Sequence, residues 1–185
     1  MRIVSGKFGG IRLEGVKGDK TRPTTDKVKE SLFSMLGAYF DGGSFLDLYA
    51  GSGAVGLEAI SRGMDSAVLV DRQYQAVKTI KDNLAKIHAE DQVRVIKGAA
   101  EKVLIDLATE GQRFDIVFLD PPYKLQKMVV VMEQLQQLNL LEDGATVICE
   151  TDNETELPEQ FANFKRTKQK EYGLTRLNFY RFEVK

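Results

Sequence analysis

One cysteine, one histidine and no tryptophan occur in 185 residues. A lone cysteine excludes an internal disulfide, and Cys149 sits in the apolar run Thr146-Val147-Ile148-Cys149, where it reads as a small core residue rather than a nucleophile. His88 ends a helical segment and is expected at the surface. Together they leave little material for a soft-metal site or a His-based triad, and no metal is expected. The chain has no apolar run long enough to cross a bilayer. No signal-peptide core follows Met1-Arg2-Ile3-Val4-Ser5, which makes a cytoplasmic address the expectation. There is no internal repeat, low-complexity tract, long linker or apolar heptad, and a monomer is expected. The chemistry therefore has to come from carboxylates, backbone and a cofactor.

Apolar and charged fractions of 43% and 29% are ordinary for a globular protein, and the length suits one domain with a small appendage. The net charge of −1 is unevenly spread. Residues 1–30 carry eight Lys/Arg against four Asp/Glu, residues 165–185 carry seven against two, and the stretch between carries eleven against twenty-one. Basic ends on an acidic body suit a polyanionic partner. Taken alone, such charge runs are most simply solvated faces.

From Ser44 the hydrophobic pattern alternates between short apolar runs and amphipathic segments. Strands are expected at 44–48, 66–70, 93–96, 114–120 and 145–150, with helices between them, which predicts an open α/β fold with a parallel sheet. Ahead of it, Ile3-Val4 and Ile11-Arg12-Leu13 flank Gly6, Gly9 and Gly10 and read as a hairpin. A helix capped at Thr25 or Asp26 then carries Val28, Leu32, Met35, Leu36 and Tyr39. Beyond 151 an acidic loop, with a short helix toward Phe161, leads to two strands at 163–170 and 174–184, joined through Tyr172-Gly173. This terminal hairpin adds antiparallel pairing to an otherwise parallel, seven-stranded sheet. The expected division is a basic extension at 1–24 and one α/β domain at 25–185.

Phe45 to Glu58 organises the rest. Gly51, Gly53 and Gly56 follow a buried strand and open a helix, as in nucleotide-binding loops. A tight strand-to-helix turn explains the glycines equally well. Asp71 ends the next apolar run, where a carboxylate can accept ribose hydroxyls, and Asp120-Pro121-Pro122-Tyr123 closes a third. All three lie at carboxyl ends of expected strands, where open α/β sheets bind ligands.

On these residues, and on Arg2-Ile3-Val4, Gly6, Gly10, Leu13 and the segment Arg22-Pro23-Thr24-Thr25-Asp26-Lys27-Val28-Lys29-Glu30, the chain resembles Rossmann-like class I S-adenosylmethionine-dependent methyltransferases. More closely, it is similar to the bacterial family that methylates the exocyclic amino group of one guanine in small-subunit ribosomal RNA. The resemblance implies a cofactor set of Asp47, Tyr49, Gly51, Ser52, Gly53, Asp71, Arg72 and Ala99. Asp47 would face the methionine amino group, and Ala99 stands where the family usually offers adenine a polar side chain, which leaves adenine to backbone groups. Asp120, Pro121 and Tyr123 are the implied catalytic residues. Arg2, Lys7, Arg12, Lys20, Arg22 and Pro122 are assigned to the RNA, with Arg22 open to a cofactor role and Lys165, Arg166, Lys168 and Lys170 open to extending the footprint. The partner is then ribosomal RNA, in a partly or fully assembled small subunit.

An exocyclic amine is a weak nucleophile because its lone pair is delocalised into the ring. A carboxylate (Asp120) and a carbonyl (Pro121) accepting its two N–H bonds favour a pyramidal nitrogen, and Tyr123 stacked on the base adds roughly 1–3 kcal/mol. A base buried in folded RNA must first be unstacked, which favours a loop target. The competing readings are amino methylation of adenine, methylation of a protein glutamine, an NAD-dependent oxidoreductase and a catalytically silent ribosome-assembly factor. Asp47 disfavours the oxidoreductase, and the Asp at 120 disfavours the glutamine enzyme.

Overall fold

The apolar runs bounded by glycine-terminated helices become strands, because residues without a polar side must be covered on both faces. The computed structural model describes residues 1–18, 24–122 and 124–184, without the side chains of residues 124–126. Contacts divide the chain into two units, Met1–Ala99 and Ala100–Lys185.

In the first unit α1 (Asp26–Met35) precedes β1 (Ser44–Asp47), α2 (Ala54–Ser61), β2 (Ser66–Asp71), α3 (Tyr74–Ile87) and β3 (Val93–Lys97). The strands lie in the order β3-β2-β1. All pairs are parallel, with Asp47 opposite Leu69 and Asp71 opposite Lys97, so α2 and α3 are the crossovers. Thr25 caps α1 by accepting the Val28 N–H at 3.2 Å. The helix stops four residues short of Tyr39, because Gly37 and Ala38 take φ of 112° and 69° and turn the chain away. Tyr39 is left 61% exposed, its hydroxyl 2.5 Å from Ser5 Oγ.

Residues 2–15 form less of a hairpin than expected. There is one antiparallel bridge, Arg2 to Arg12, flanked by Ile3 N–H to the Ile11 carbonyl at 2.9 Å and Gly10 N–H to the Ile3 carbonyl at 2.8 Å. The ladder stops because the next donors turn to α2. Val4 and Ser5 N–H groups donate to the two Glu58 carboxylate oxygens at 2.8 and 3.0 Å, and Lys7 N–H donates to the Ser61 carbonyl at 2.9 Å. Gly6 passes so close that a Cβ there would lie 1.9 Å from the Ser61 carbonyl oxygen.

Every residue of α2 is buried, Glu58 included. A buried carboxylate needs donors on all sides. Besides the two amides, Glu58 receives Arg62 Nε at 2.8 Å and faces Lys29 Nζ at 3.3 Å. Lys29 is fully buried and also donates to the Arg2 carbonyl. Burial pushes the Lys29 ammonium below its ordinary pKa, against the pull of Glu58. Arg62 lies over the Phe33 and Tyr39 rings and donates to the Ala38 carbonyl at 3.1 Å. One glutamate thus ties the extension, α1 and α2 together.

The second unit holds α4 (Ala100–Thr109), β4 (Phe114–Leu119), α5 (Lys124–Gln137), β5 (Leu141–Asp152), β6 (Gln160–Phe161), β7 (Phe164–Tyr172) and β8 (Thr175–Phe182). Its strands run β4-β5-β8-β7-β6. β4 and β5 are parallel and the other pairs antiparallel. The described residues form eight strands instead of seven. The additional one, β6, replaces the short helix expected toward Phe161, whose ring packs 5.4 Å from Phe164 and 5.7 Å from Tyr180. β5 starts at Leu141, earlier than the expected 145, because Leu141 pairs with Phe114 ahead of a bulge. Cys149 is fully buried against Met132, Sγ to Sδ 3.6 Å, and burial raises its thiol pKa well above the ordinary value. His88 is exposed and ends α3 with φ of 53°. Among the described residues no helix is long and apolar enough to cross a membrane, and no acidic, His or Cys cluster has the makings of a metal site.

Candidate active site

The first unit assembles the glycine loop from both ends. Ala50 N–H donates to the Val70 carbonyl at 2.8 Å, which keeps the loop against β2, and Gly53 N–H returns to the Ala50 carbonyl at 2.8 Å. Gly51 and Gly53 take φ of 57° and 84°, the left-handed region that side chains avoid. Their surroundings differ. A Cβ on Gly53 would touch Ile80 and Leu69 at 3.3–3.4 Å, whereas nothing lies within 4 Å of one on Gly51. Gly56 has a third role. A Cβ there would lie 2.1 Å from Leu69 Cδ2, so glycine is what lets α2 lie down on β2. The open face at Gly51 is the feature that fits a small ligand drawn close to backbone.

Two carboxylates flank this loop. Asp47 is buried at the end of β1, where its Oδ1 accepts the Tyr49 N–H at 3.1 Å. Asp71 spends one oxygen on each side: Oδ2 accepts the Gly51 N–H at 2.9 Å, and Oδ1 accepts the Gln73 N–H at 2.9 Å ahead of α3. The aspartate assigned to ribose hydroxyls is therefore also a bracket for the loop. A carboxylate has about four lone-pair sites, so these two bonds leave room for hydroxyl donors. Arg72 is exposed just beyond it, and Ala99 is exposed after β3. Ser52 donates its hydroxyl to Met1 Sδ at 3.6 Å. Met1, with Thr24, Thr25, Asp26 and Lys27, lines a hollow of about 390 Å³. Asp47, Tyr49, Gly51, Ser52, Gly53 and Asp71 are thus gathered at the carboxyl ends of β1 and β2.

In the second unit Asp120 is half-buried at the carboxyl end of β4, Pro121 is buried and Pro122 is exposed. The prolines fix φ and remove two N–H groups from the turn that leads to α5. Tyr123 lies outside the described residues.

The basic extension is more tied down than its sequence suggests. Arg2 faces Asp26, Nε to Oδ2 3.7 Å, with its side chain 59% exposed. Lys7 Nζ donates to Gln92 Oε1 at 3.1 Å and sits 5.0 Å from the Phe8 ring centre. Arg12 is exposed. Lys20 and Arg22 lie outside the described residues. In the second unit Lys165, Lys168 and Lys170 are exposed on β7, while Arg166 donates to the Leu157 carbonyl at 3.3 Å.

Two residues of the first unit escaped the sequence reading. Glu58 ends the stretch that carries the glycine loop, and nothing in the sequence marks it as buried. Asn83, on α3, is fully buried and bonds both the extension and the glycine loop. A single polar residue inside an apolar helical stripe was the only signal for Asn83.

The chain is 43% identical over 181 residues to a protein of Bacillus subtilis named "Putative rRNA methyltransferase YlbH", covering 98% of each. It is 33% identical to "Ribosomal RNA small subunit methyltransferase D" of Escherichia coli, covering 100% of this chain and 91% of that one. A solved structure described as "Putative methyltransferase yhhF from Escherichia coli" superposes with a TM-score of 0.88 at 31% identity, covering 100% of this chain and 99% of that chain. The family model for "Conserved hypothetical protein 95" matches residues 1–181, and the chain belongs to that family.

Proposed function

We propose that this protein transfers a methyl group from S-adenosylmethionine to the exocyclic amine of a guanine in small-subunit ribosomal RNA. The observation that carries the reading is Asp120, half-buried at a strand's carboxyl end and followed at once by two prolines. The open face at Gly51 beside Asp47 and Asp71 supports a nucleoside-bearing cofactor, and the names of the 43% and 33% identical relatives support ribosomal RNA.

When bound, S-adenosylmethionine supplies a methyl group on a sulfonium that is already a strong donor. Asp47 would hold the ammonium of its methionine portion, Asp71 would take the ribose hydroxyls, and Gly51 and Gly53 would let the backbone pass beneath. The Asp120 carboxylate and the Pro121 carbonyl would accept the two amine hydrogens and leave the nitrogen lone pair free to attack. Alignment of this kind supplies most of the acceleration. Asp120 then takes the proton that the methylated amine releases. Tyr123 and Pro122 pack on the base, while Arg2, Lys7, Arg12, Lys20 and Arg22 hold phosphates and fix the register without reading sequence.

The test is transfer of labelled methyl from S-adenosylmethionine to undermethylated small subunits, to their stripped RNA and to duplex DNA, by wild type and Asp120→Ala. Label on guanine of the ribosomal sample is expected, reduced about 10²- to 10⁴-fold in the variant with cofactor affinity kept. Label on DNA adenine alone, or an Asp120→Ala protein as active as wild type, overturns the assignment.

A further inference from the structure

We propose that Asn83 is a positioning residue that couples cofactor binding to RNA binding; this rests on the function proposed above. Asn83 lies in the middle of α3 with no exposed surface. Its Nδ2 donates to the Ser52 carbonyl at 2.9 Å and to the Glu14 carbonyl at 3.0 Å, and its Oδ1 accepts the Glu14 N–H at 2.8 Å. Both amide hydrogens and the oxygen are used, which fixes the orientation of the group. Ser52 sits between Gly51 and Gly53 of the cofactor loop, and Glu14 is two residues beyond Arg12 of the basic extension. One side chain therefore spans the two segments that the reaction asks to act together.

The same helix holds the loop a second time, since Asp71 joins Gly51 N–H to Gln73 N–H at the start of α3. A second link from α3 to the extension exists in Lys86, whose Nζ lies 3.3 Å from Glu14 Oε1 and 3.5 Å from the Arg12 carbonyl. Both side chains of this ion pair are substantially exposed, Lys86 37% and Glu14 69%, so it contributes little. Buried and fully used, the Asn83 amide is the stiff connection. A cofactor that orders the Gly51–Gly53 backbone orders the Ser52 carbonyl, and with it the amide that holds Glu14 in place. The coupling is reciprocal: RNA on the extension tightens the cofactor by the same factor.

The experiment measures affinity for undermethylated small subunits with and without saturating S-adenosylhomocysteine. Wild type, Asn83→Asp, Asn83→Ala and Lys86→Ala are compared, with thermal unfolding as the check on folding. Asn83→Asp keeps the acceptor for Glu14 N–H but sets an oxygen against two carbonyls. Wild type is expected to bind subunits about tenfold more tightly with the product cofactor, within the usual range of coupling. That ratio is expected to fall to about one in both Asn83 variants and to persist in Lys86→Ala. Should the Asn83 variants not fold, amide exchange at Glu14 in wild type serves instead: slower exchange with S-adenosylhomocysteine supports the coupling, and unchanged exchange overturns it. A wild type that methylates subunits yet binds them equally with and without cofactor sinks this inference and leaves the proposed function standing. So does a folded Asn83→Asp that retains the tenfold gain. A wild type that transfers no label sinks the proposed function, and this inference with it.

Discussion

The glycine loop of Met1–Ala99 and the proline turn of Ala100–Lys185 are two ways of shaping backbone at the end of a strand. The loop is held from outside. Asp71 brackets it, the Val70 carbonyl anchors Ala50, Asn83 fixes the Ser52 carbonyl, and Leu69 fits only because residue 56 has no Cβ. The turn after β4 is shaped from within, because two proline rings set φ covalently. A loop built of glycine has the freedom to approach a ligand, and that same freedom means its shape must be supplied by residues far along the chain. Two fixed φ values lessen that dependence at the proline turn. Substitutions at a distance should therefore disturb the first unit and spare the second.

The largest such effect is expected at Glu58. Glu58→Ala leaves Lys29 and Arg62 as buried charges and strands the Val4 and Ser5 N–H groups. Loss of a buried ionic partner costs about 3–5 kcal/mol, to be read by urea unfolding. The extension should also become accessible to protease before the rest of the chain. A stability loss under about 1 kcal/mol would remove the hub from the account.

The glycines sharpen the comparison within the loop. Gly56→Ala drives a methyl into Leu69 and is expected to destabilise by about 1–3 kcal/mol through overpacking. Gly51→Ala meets nothing, and its cost in stability is about 1–2 kcal/mol for a positive φ. Its main effect should be on S-adenosylmethionine affinity, measured by calorimetry, because the new methyl occupies the open face. If Gly51→Ala binds cofactor as wild type does, the ligand does not pass there.

Lys29 gives the smallest and most specific effect. Its folded pKa lies below 10.5, so between that lowered value and 10.5 the unfolded chain holds more protons than the folded one. Stability attributable to Lys29 therefore rises as pH increases through this window. Lys29→Met, which keeps the volume and drops the charge, should remove that slope. Equal slopes in wild type and variant would mean the pKa is not lowered.

Several features were legible without the fold. The strands expected at 66–70 and 114–120 form within one residue of those bounds, and with the glycine loop and the Asp120-Pro121-Pro122 turn they follow from local pattern, because burial on both faces, positive φ and fixed φ each restrict which residues can stand there. The end of α1 was not legible. Helical spacing continues to Tyr39, and only the turn at Gly37–Ala38 and the Ser5 contact show where the helix stops. β6 was hidden for a similar reason, since two residues of strand have no period to detect.

Glu58 and Asn83 mark the division most clearly. In sequence each is a polar residue on a helix, and only for Asn83 does its place in an apolar stripe set it apart from a solvated position. Their meaning lies in partners far away along the chain: Val4, Ser5 and Lys29 for Glu58, and Glu14 and Ser52 for Asn83. By itself the sequence determined the α/β alternation and the chemistry-bearing turns, because those depend on neighbours within a few residues. The tertiary structure decided which buried polar groups hold the extension and the glycine loop, because hydrogen bonds between distant segments exist only once the chain has brought them together.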